Sequence, residues 1–256
     1  MLINIRIAKA YRTVSNEALC AITGLIPINI KIEETAKFYE SIKGNGNRYD
    51  RDMEVKSWTH PAKFIKIMDG QEDSKQTIHA YTDGSKGENG VGSGIAVFKD
   101  NKLTAKLKYK LNWQCSNNQA EQLAILKALE YIQHLEIKER EVLLLTNSRI
   151  TLDLLQNRKK HTYLIENIRT KVAEMEKNDC QVKFSWIKAH AGHYGNELAD
   201  NLAKEAANSK RIKECYNRIP KSAVMSELNK HSGKTNGTEQ LKVQLQNHFS
   251  PTYQTG

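Results

Sequence analysis

The stretch KLTAKLKYKLNWQCSNNQAEQLAILKALEYIQHL, residues 102–135, changes its hydrophobic period midway. Its first ten residues alternate apolar side chains with lysine or threonine, which is typical of a strand with one face in a core and the other facing solvent or phosphate. Asn117 and Asn118 can then cap a helix, in which apolar residues recur at positions 120, 123, 124, 128 and 131. The stretch therefore predicts a half-buried strand followed by an amphipathic helix.

The segments on either side extend this pattern. Upstream, TIHAYTDGS (77–85) predicts a strand that ends at Asp83, and the glycine-rich KGENGVGSG (86–94) predicts a hairpin-type connection into the strand GIAVFKD. Downstream, the strands EVLLLT and QVKFSWI alternate with the helical segments TLDLLQN, YLIENIRTKVAEMEK and GNELADNLAKEAA. The order β-β-β-α-β-α-α-β-α predicts an α/β fold, a mixed five-stranded sheet with helices on both faces.

The rest of the chain lies outside this pattern. Residues 1–42 contain a helical pattern, residues 43–75 are polar and irregular and predict a linker, and residues 211–256 predict a poorly ordered tail. The predicted α/β domain therefore covers residues 76–210.

Composition indicates a globular protein with a basic surface. The hydrophobic content of 39% and the charged content of 27% allow a buried core and argue against wholesale disorder. The net charge of +10 favours a polyanionic partner, although a soluble basic protein without such a partner has the same charge. The four cysteines form no CxxC pair, and the N-terminal segment has neither a secretion signal nor a membrane span. We therefore expect an intracellular protein with reduced thiols and no membrane partner.

Three acidic residues occupy places that the predicted fold can bring together. Asp83 closes the first strand, Glu121 lies in the first turn of the first domain helix, and Asp200 lies in the last helix. If the first and fourth strands are neighbours, their carboxyl ends meet in one crevice, where open α/β sheets place their sites. Several carboxylates at such a place suit Mg²⁺, and two ions can clamp a phosphodiester. Taken singly, each residue is explained equally well as a turn, capping or solvated surface residue.

The motifs YTDGS, SNNQAEQLAI, LLLTNSR and WIKAHAGHYGNELADNLAKEA follow one another between residues 76 and 207. In order and spacing they resemble the motifs of type 1 ribonuclease H, and flanking segments are similar to parts of non-LTR retrotransposon polyproteins. AKAYRTVSNEAL (8–19) and GLIPINIKIEE (24–34) resemble the end of the reverse transcriptase region that precedes ribonuclease H in such polyproteins. The resemblance implies that residues 1–42 are a remnant of that region.

The resemblance also implies a two-metal site. Asp83 would contact both ions, Glu121 and Asn147 would hold one of them, and Asp200 would hold the other, with Mg²⁺ as the ion and Mn²⁺ as a substitute. His190 would assist proton transfer or product departure, and an ordinary loop histidine is the alternative.

An RNA/DNA hybrid, bound by a monomer, is the implied partner. The implied contact residues are Gly84, Ser85, Asn117, Asn118, Gln119, Ser148 and Arg149. The first two would lie near the scissile strand, the next three would reach the minor groove and its 2′-hydroxyls, and the last two would meet phosphate at a helix N-terminus. Helix capping is the alternative role for positions 117–119, and one residue can do both.

Position 147 departs from the family pattern. In the family the fourth strand ends in aspartate followed by serine, whereas here it ends in Asn147 and Ser148. Asparagine keeps the shape and a carbonyl oxygen but lacks the charge, so a divalent ion is expected to bind more weakly. Two functions follow from this. The first is an RNA/DNA-hybrid ribonuclease with impaired activity, and the alternative is a catalytically silent hybrid-binding module from a decayed retrotransposon.

Overall fold

The computed structural model describes residues 16–23, 28–44, 48–50, 60–68, 78–135, 140–189 and 192–226, with a few separate positions before residue 56. The chain divides into two compact units, Met1–Gly46 with Ser222–Gly256, and Asn47–Lys221. The first unit contains α1 (Asn16–Thr23) and α2 (Ile28–Gly44). Their origin from a reverse transcriptase region stays a prediction. Within the described ranges, no helix is long and apolar enough to cross a membrane.

The second unit contains a mixed sheet. The strands of this sheet are β1 (Lys66–Met68), β2 (Ile78–Gly87), β3 (Gly90–Lys99), β4 (Lys102–Leu111), β5 (Arg140–Thr146), β6 (Cys180–Trp186) and β7 (Glu214–Tyr216). Their order in the sheet is β1-β6-β5-β2-β3-β4-β7. The helices of this unit are α3 (Asn117–Gln133), α4 (Arg149–Gln156), α5 (Tyr163–Lys177) and α6 (Tyr194–Asn208), with a 3-10 turn at Pro61–Phe64. Strands β2, β3 and β4 are antiparallel, whereas β2, β5 and β6 are parallel. The predicted mixed α/β sheet is confirmed.

The sheet has seven strands rather than the predicted five. The additional strands β1 and β7 contain three residues each, which is too short for an alternating pattern to be recognisable in the sequence. β1 pairs with β6 and lies in the predicted linker 43–75, and β7 pairs with β4 and lies in the predicted tail 211–256. The compact unit therefore extends beyond 76–210 at both ends, and residues 227–256 lie outside the described part of the chain.

The end of β2 differs from the prediction. β2 continues past Asp83 to Gly87, and a two-residue turn joins it to β3, so the sequence GVGSG is strand rather than connection. Gly92 and Gly94 lie within β3, and they are glycines because α6 packs directly on them. A Cβ at Gly94 would overlap the carbonyl oxygen of Ala199. The glycines that resemble a loop in the sequence mark a close helix-sheet contact instead.

Helices cover both faces of the sheet, as predicted. On one face the main core joins the sheet to α3, α4 and α5, and the Ser93 hydroxyl of β3 donates a 2.6 Å hydrogen bond to the Ala120 carbonyl of α3. On the other face α6 lies against the glycines of β3.

Two of the parallel strands bring the candidate site together. β2 and β5 pair in register up to Thr82 opposite Thr146. Asp83 and Asn147 each follow directly after this pair, so the two residues meet where the pairing of β2 with β5 ends, although β2 itself continues to Gly87.

Candidate active site

Asp83 and Asn147 lie side by side at this point of the sheet. Asp83 is 5% exposed, and its Oδ1 accepts a 2.7 Å hydrogen bond from the backbone N–H of Gly84. Asn147 Nδ2 donates to both carboxylate oxygens of Asp83, each at 3.2 Å. A neutral N–H donor, supplied by the chain itself, therefore faces the carboxylate that is expected to bind metal.

Burial raises the pKa of Asp83 from 3.8 to about 6. The hydrogen bonds from Gly84 and Asn147 lower this pKa, whereas the negative charges of Asp200 and Glu121 raise it. Glu121 and Asp200 therefore lie close enough to Asp83 for their charges to act on its carboxylate. The structure thus brings together the three acidic residues that the sequence singled out.

Glu121 reaches this region because β2 and α3 approach closely. A Cβ at Gly84 would lie 2.5 Å from the backbone nitrogen of Glu121 and 2.8 Å from its Cγ, so only glycine fits here. Asn117 Nδ2 donates a 2.9 Å hydrogen bond to Glu121 Oε1. Burial raises the pKa of Glu121, and hydrogen bonds from Ser148 and Asn117 lower it. Gly84 and Asn117 therefore position the Glu121 carboxylate.

Asp200 is the most accessible of the three acidic residues. It lies in α6, and Lys204, one turn later, donates from Nζ to Asp200 Oδ2 at 2.7 Å. An exposed pair of this spacing is weak and is screened by salt, so a divalent ion can displace the lysine. Asp83 and Asp200 are thus both bonded to nitrogen donors of the same chain.

The donor set fits hard divalent cations, provided that the Asn147 amide turns. Asn147 Oδ1 is buried and has no hydrogen-bond partner in the described part of the chain, because Nδ2 faces Asp83. Rotation of the amide by about 180° would present Oδ1 to the carboxylates as a neutral oxygen ligand. Three carboxylates and one amide oxygen are ligands of the type that Mg²⁺ and Mn²⁺ accept.

The predicted nucleic-acid contacts differ in exposure. Asn117, Asn118 and Arg149 are exposed, and Gly84 and Ser85 are half-buried. These five residues are accessible to a bound strand, and their contact roles stay predictions.

Gln119 and Ser148 are buried. Gln119 is 3% exposed, and its amide nitrogen donates to Asp50 Oδ2 and to the Arg218 carbonyl, at 3.0 and 3.1 Å. Its Oε1 accepts from the backbone of Ser116, which completes a capping box at the start of α3. The Ser148 side chain is the N-cap of α4. Both side chains are used within the protein, so their nucleic-acid contacts stay predictions.

His190 lies outside the described residues, and its proposed catalytic role stays a prediction. Two residues next to the site were not singled out as functional from the sequence. Lys204 has a recognisable signal, the spacing of four residues from Asp200 on one helix. Trp186, which is half-buried, donates from Nε1 to the backbone oxygen of Asn147 at 3.1 Å.

A second group of titratable residues, His60, His161 and Glu166, has ligand atoms within 4.8 Å of one another. The Glu166 carboxylate accepts hydrogen bonds from His161 Nδ1 and from the buried Arg169 guanidinium. His60 Nδ1 accepts from the backbone N–H of Ala62 at 3.1 Å, so the proton of its neutral ring is on Nε2 and no lone pair is free for a metal. His161, Glu166 and Arg169 are therefore interpreted as a hydrogen-bonded support, whereas His60 Nε2 is buried and has no hydrogen-bond partner in the described part of the chain.

Several known proteins are similar to this chain. The RNase H family model matches residues 75–208, just over half of the chain. Ribonuclease HI of Neisseria meningitidis serogroup A is 30% identical over 145 residues, which cover 52% of this chain and 96% of that protein. Ribonuclease H of Idiomarina loihiensis is 30% identical over 155 residues, which cover 55% and 94%. The solved structure of LC11-RNase H1 in complex with RNA/DNA hybrid is 21% identical, with a TM-score of 0.42 and coverage of 50% and 98%.

Proposed function

Because the chain belongs to the ribonuclease H family, we propose that it hydrolyses the RNA strand of RNA/DNA hybrids, leaving 5′-phosphate and 3′-hydroxyl ends. The observation that carries this proposal is the meeting of Asp83, Glu121 and Asp200 beside the end of β5, within the matched region. The names of the relatives, Ribonuclease HI and Ribonuclease H, support the reaction class.

Two divalent ions, Mg²⁺ or Mn²⁺, would be held by the three carboxylates and by Asn147 Oδ1, with Asp83 between them. When bound, they would supply Lewis-acid activation of water and would stabilise charge on the reacting phosphate. Mg²⁺ is usually held by one or two carboxylates, so four candidate ligand residues support two ions, which lie about 3.5–4 Å apart in two-metal sites.

We propose that the activity is impaired, because residue 147 is neutral where the family has a carboxylate. Turning Oδ1 towards an ion would also break the two hydrogen bonds from Asn147 Nδ2 to Asp83. A loss of about 3–4 kcal/mol of transition-state stabilisation slows turnover by roughly two to three orders of magnitude.

Hybrid binding would rest on the exposed polar residues around the site. Asn117 and Asn118, at the start of α3, would contact the minor groove, where 2′-hydroxyls distinguish RNA from DNA. Arg149, at the start of α4, would contact a backbone phosphate. The buried Gln119 and Ser148 would hold these helix ends in place through their capping hydrogen bonds.

A second function, a catalytically silent hybrid-binding module, is favoured by the contact between Asn147 and Asp83. The Asn147 amide donates hydrogen bonds to the buried Asp83 carboxylate without any ion, so the hybrid-binding surface can persist without metal. The proposed source in either case is the ribonuclease H region of a non-LTR retrotransposon polyprotein, for which the motifs at 8–19 and 24–34 are the support.

The test measures binding and cleavage of a labelled RNA/DNA hybrid, and of double-stranded DNA and double-stranded RNA of the same sequence, in Mg²⁺ and in Mn²⁺. We expect preferential binding of the hybrid, slow cleavage of its RNA strand, and loss of cleavage in Asp83→Asn. Binding of the hybrid without cleavage in either metal supports the silent module. Cleavage that persists in Asp83→Asn would show that the acidic residues are not the site, and equal affinity for all three duplexes would contradict both functions.

A further inference from the structure

Trp186, the last residue of β6, contacts the residues that follow the neighbouring strand β5 at the edge of the site. β5 and β6 pair in register up to Thr146 opposite Trp186. Beyond this pair, the backbone N–H of Ile187 donates to the Thr146 carbonyl at 2.9 Å, and Trp186 Nε1 donates to the Asn147 carbonyl at 3.1 Å. The indole N–H thus extends the attachment of β5 by one residue and holds the peptide that carries Asn147.

The ring of the same side chain supports Arg149. The guanidinium carbon of Arg149 lies 3.9 Å from the centroid of the Trp186 ring. Arg149 is the first residue of α4, and the first turn of this helix contains no acidic residue. A cation at this end of a helix opposes the helix dipole, so the arginine is not explained by helix stability. Its planar, donor-rich group lies over an aromatic face and belongs to an exposed residue, so it is suited to a phosphate.

We propose that Trp186 is a positioning residue that sets two parts of the hybrid site with one side chain. Its N–H fixes the Asn147 peptide on the metal side, and its ring fixes the Arg149 guanidinium on the phosphate side. Trp186 acts through these two residues and touches neither the ions nor the nucleic acid. The inference rests on the proposed function, because both partners belong to the proposed hybrid site.

Two substitutions separate the two contacts. Trp186→Phe keeps an aromatic face below Arg149 but removes the N–H donor, whereas Trp186→Leu removes both. Arg149→Gln removes the guanidinium with its charge and leaves Trp186 in place. The matched control is Arg218→Gln, which removes another arginine-on-aromatic contact, with the guanidinium carbon 3.5 Å from the Tyr163 ring centroid.

Two measurements on the whole chain report the metal side and the phosphate side separately. Neither measurement needs turnover. The first is the rise in unfolding temperature that Mn²⁺ produces without nucleic acid, and the second is the Kd for an RNA/DNA hybrid over a range of salt concentrations. We expect Trp186→Phe to reduce the Mn²⁺-induced rise by about half while the hybrid Kd stays within about twofold of the wild-type value, because only the hydrogen bond is lost.

We expect Trp186→Leu to weaken hybrid binding about three- to tenfold and to lower the salt slope by about one charge, as Arg149→Gln does. The double variant with Trp186→Leu and Arg149→Gln should bind the hybrid no more weakly than either single variant. Arg218→Gln should leave both measurements unchanged. If Trp186→Leu does not fold, Trp186→Phe and Arg149→Gln still decide the outcome.

An unchanged Mn²⁺ response in Trp186→Phe, or wild-type hybrid binding in Trp186→Leu or Arg149→Gln, would overturn the positioning role while the proposed function stands. Failure of the wild-type chain to prefer a hybrid would instead overturn the proposed function, and this inference with it.

Discussion

The contact between Asn147 and Asp83 predicts how the substitution Asn147→Asp changes stability without metal. In the structure, Asn147 Nδ2 lies 3.2 Å from both oxygens of the buried Asp83 carboxylate. An aspartate at 147 would replace this donor with a second carboxylate at a similar distance. The variant would lose a hydrogen bond to a charged group, which contributes about 1.5–3 kcal/mol, and would gain repulsion between like charges.

In EDTA at pH 7.5, we therefore expect Asn147→Asp to be less stable than the wild-type chain by about 2–4 kcal/mol. For a unit of this size, the unfolding temperature would fall by roughly 4–16 °C. At pH 5 the difference should shrink, because the two carboxylates can share a proton. Saturating Mg²⁺ or Mn²⁺ should also reduce it, because the two carboxylates would hold a divalent ion, whose binding would stabilise the folded state by mass action.

The assay is urea unfolding followed by far-UV circular dichroism, in EDTA and in Mg²⁺, at both pH values. The charge-matched control is Asn178→Asp, at an exposed position beyond the end of α5, for which we expect a small change that does not depend on metal. The reasoning is refuted if Asn147→Asp is as stable as the wild-type chain in EDTA, or if Mg²⁺ stabilises both chains equally.

Three further substitutions test other parts of the structure. Because the pKa of Asp83 is raised from 3.8 to about 6, its contribution to stability is present below pH 3.8 and is lost as the pH rises through about 6. Asp83→Asn should therefore stabilise the metal-free chain at pH 8, by up to about 3 kcal/mol, and lower stability at pH 8 would contradict this sign. Arg169→Met should lower the free energy of unfolding by about 3–5 kcal/mol, because it removes the buried guanidinium that pairs with Glu166 and donates to the carbonyls of Leu155 and Asn157; a loss below about 1 kcal/mol in a urea titration would argue against this. Gly94→Ala should destabilise by about 1–3 kcal/mol and weaken the Mn²⁺-induced rise in unfolding temperature, because the added Cβ pushes away the helix that carries Asp200; an unchanged Mn²⁺ response would be inconsistent with this contact.

The parts of the fold that the sequence predicts are those governed by local patterns. β4 alternates exposed and half-buried residues over its first eight positions, so the strand was recognisable. The start of α3 was recognisable to within one residue, but its N-cap is Ser116, and the predicted capping residues Asn117 and Asn118 are the first two residues of the helix. The meeting of Asp83 and Asn147 was predictable as well, because neighbouring parallel strands bring their carboxyl ends to the same edge.

The parts that the sequence did not predict depend on partners far along the chain. Gly92 and Gly94 resemble a loop until α6, about a hundred residues later, is seen to pack on them. Gln119 resembles a surface residue, but it is buried by Asp50, 69 positions away, and by the Arg218 carbonyl, 99 positions away. Neither contact leaves a periodic signal, because each joins single residues rather than repeating positions.

The central claim is that this chain has a hybrid-ribonuclease site limited by the missing charge at position 147. The most direct test is the cleavage rate of a labelled RNA/DNA hybrid in Mg²⁺, measured for the wild-type chain and for Asn147→Asp. We predict that Asn147→Asp cleaves the RNA strand at least about 100-fold faster, which corresponds to about 3 kcal/mol of restored transition-state stabilisation. Equal rates for the two chains would contradict the claim.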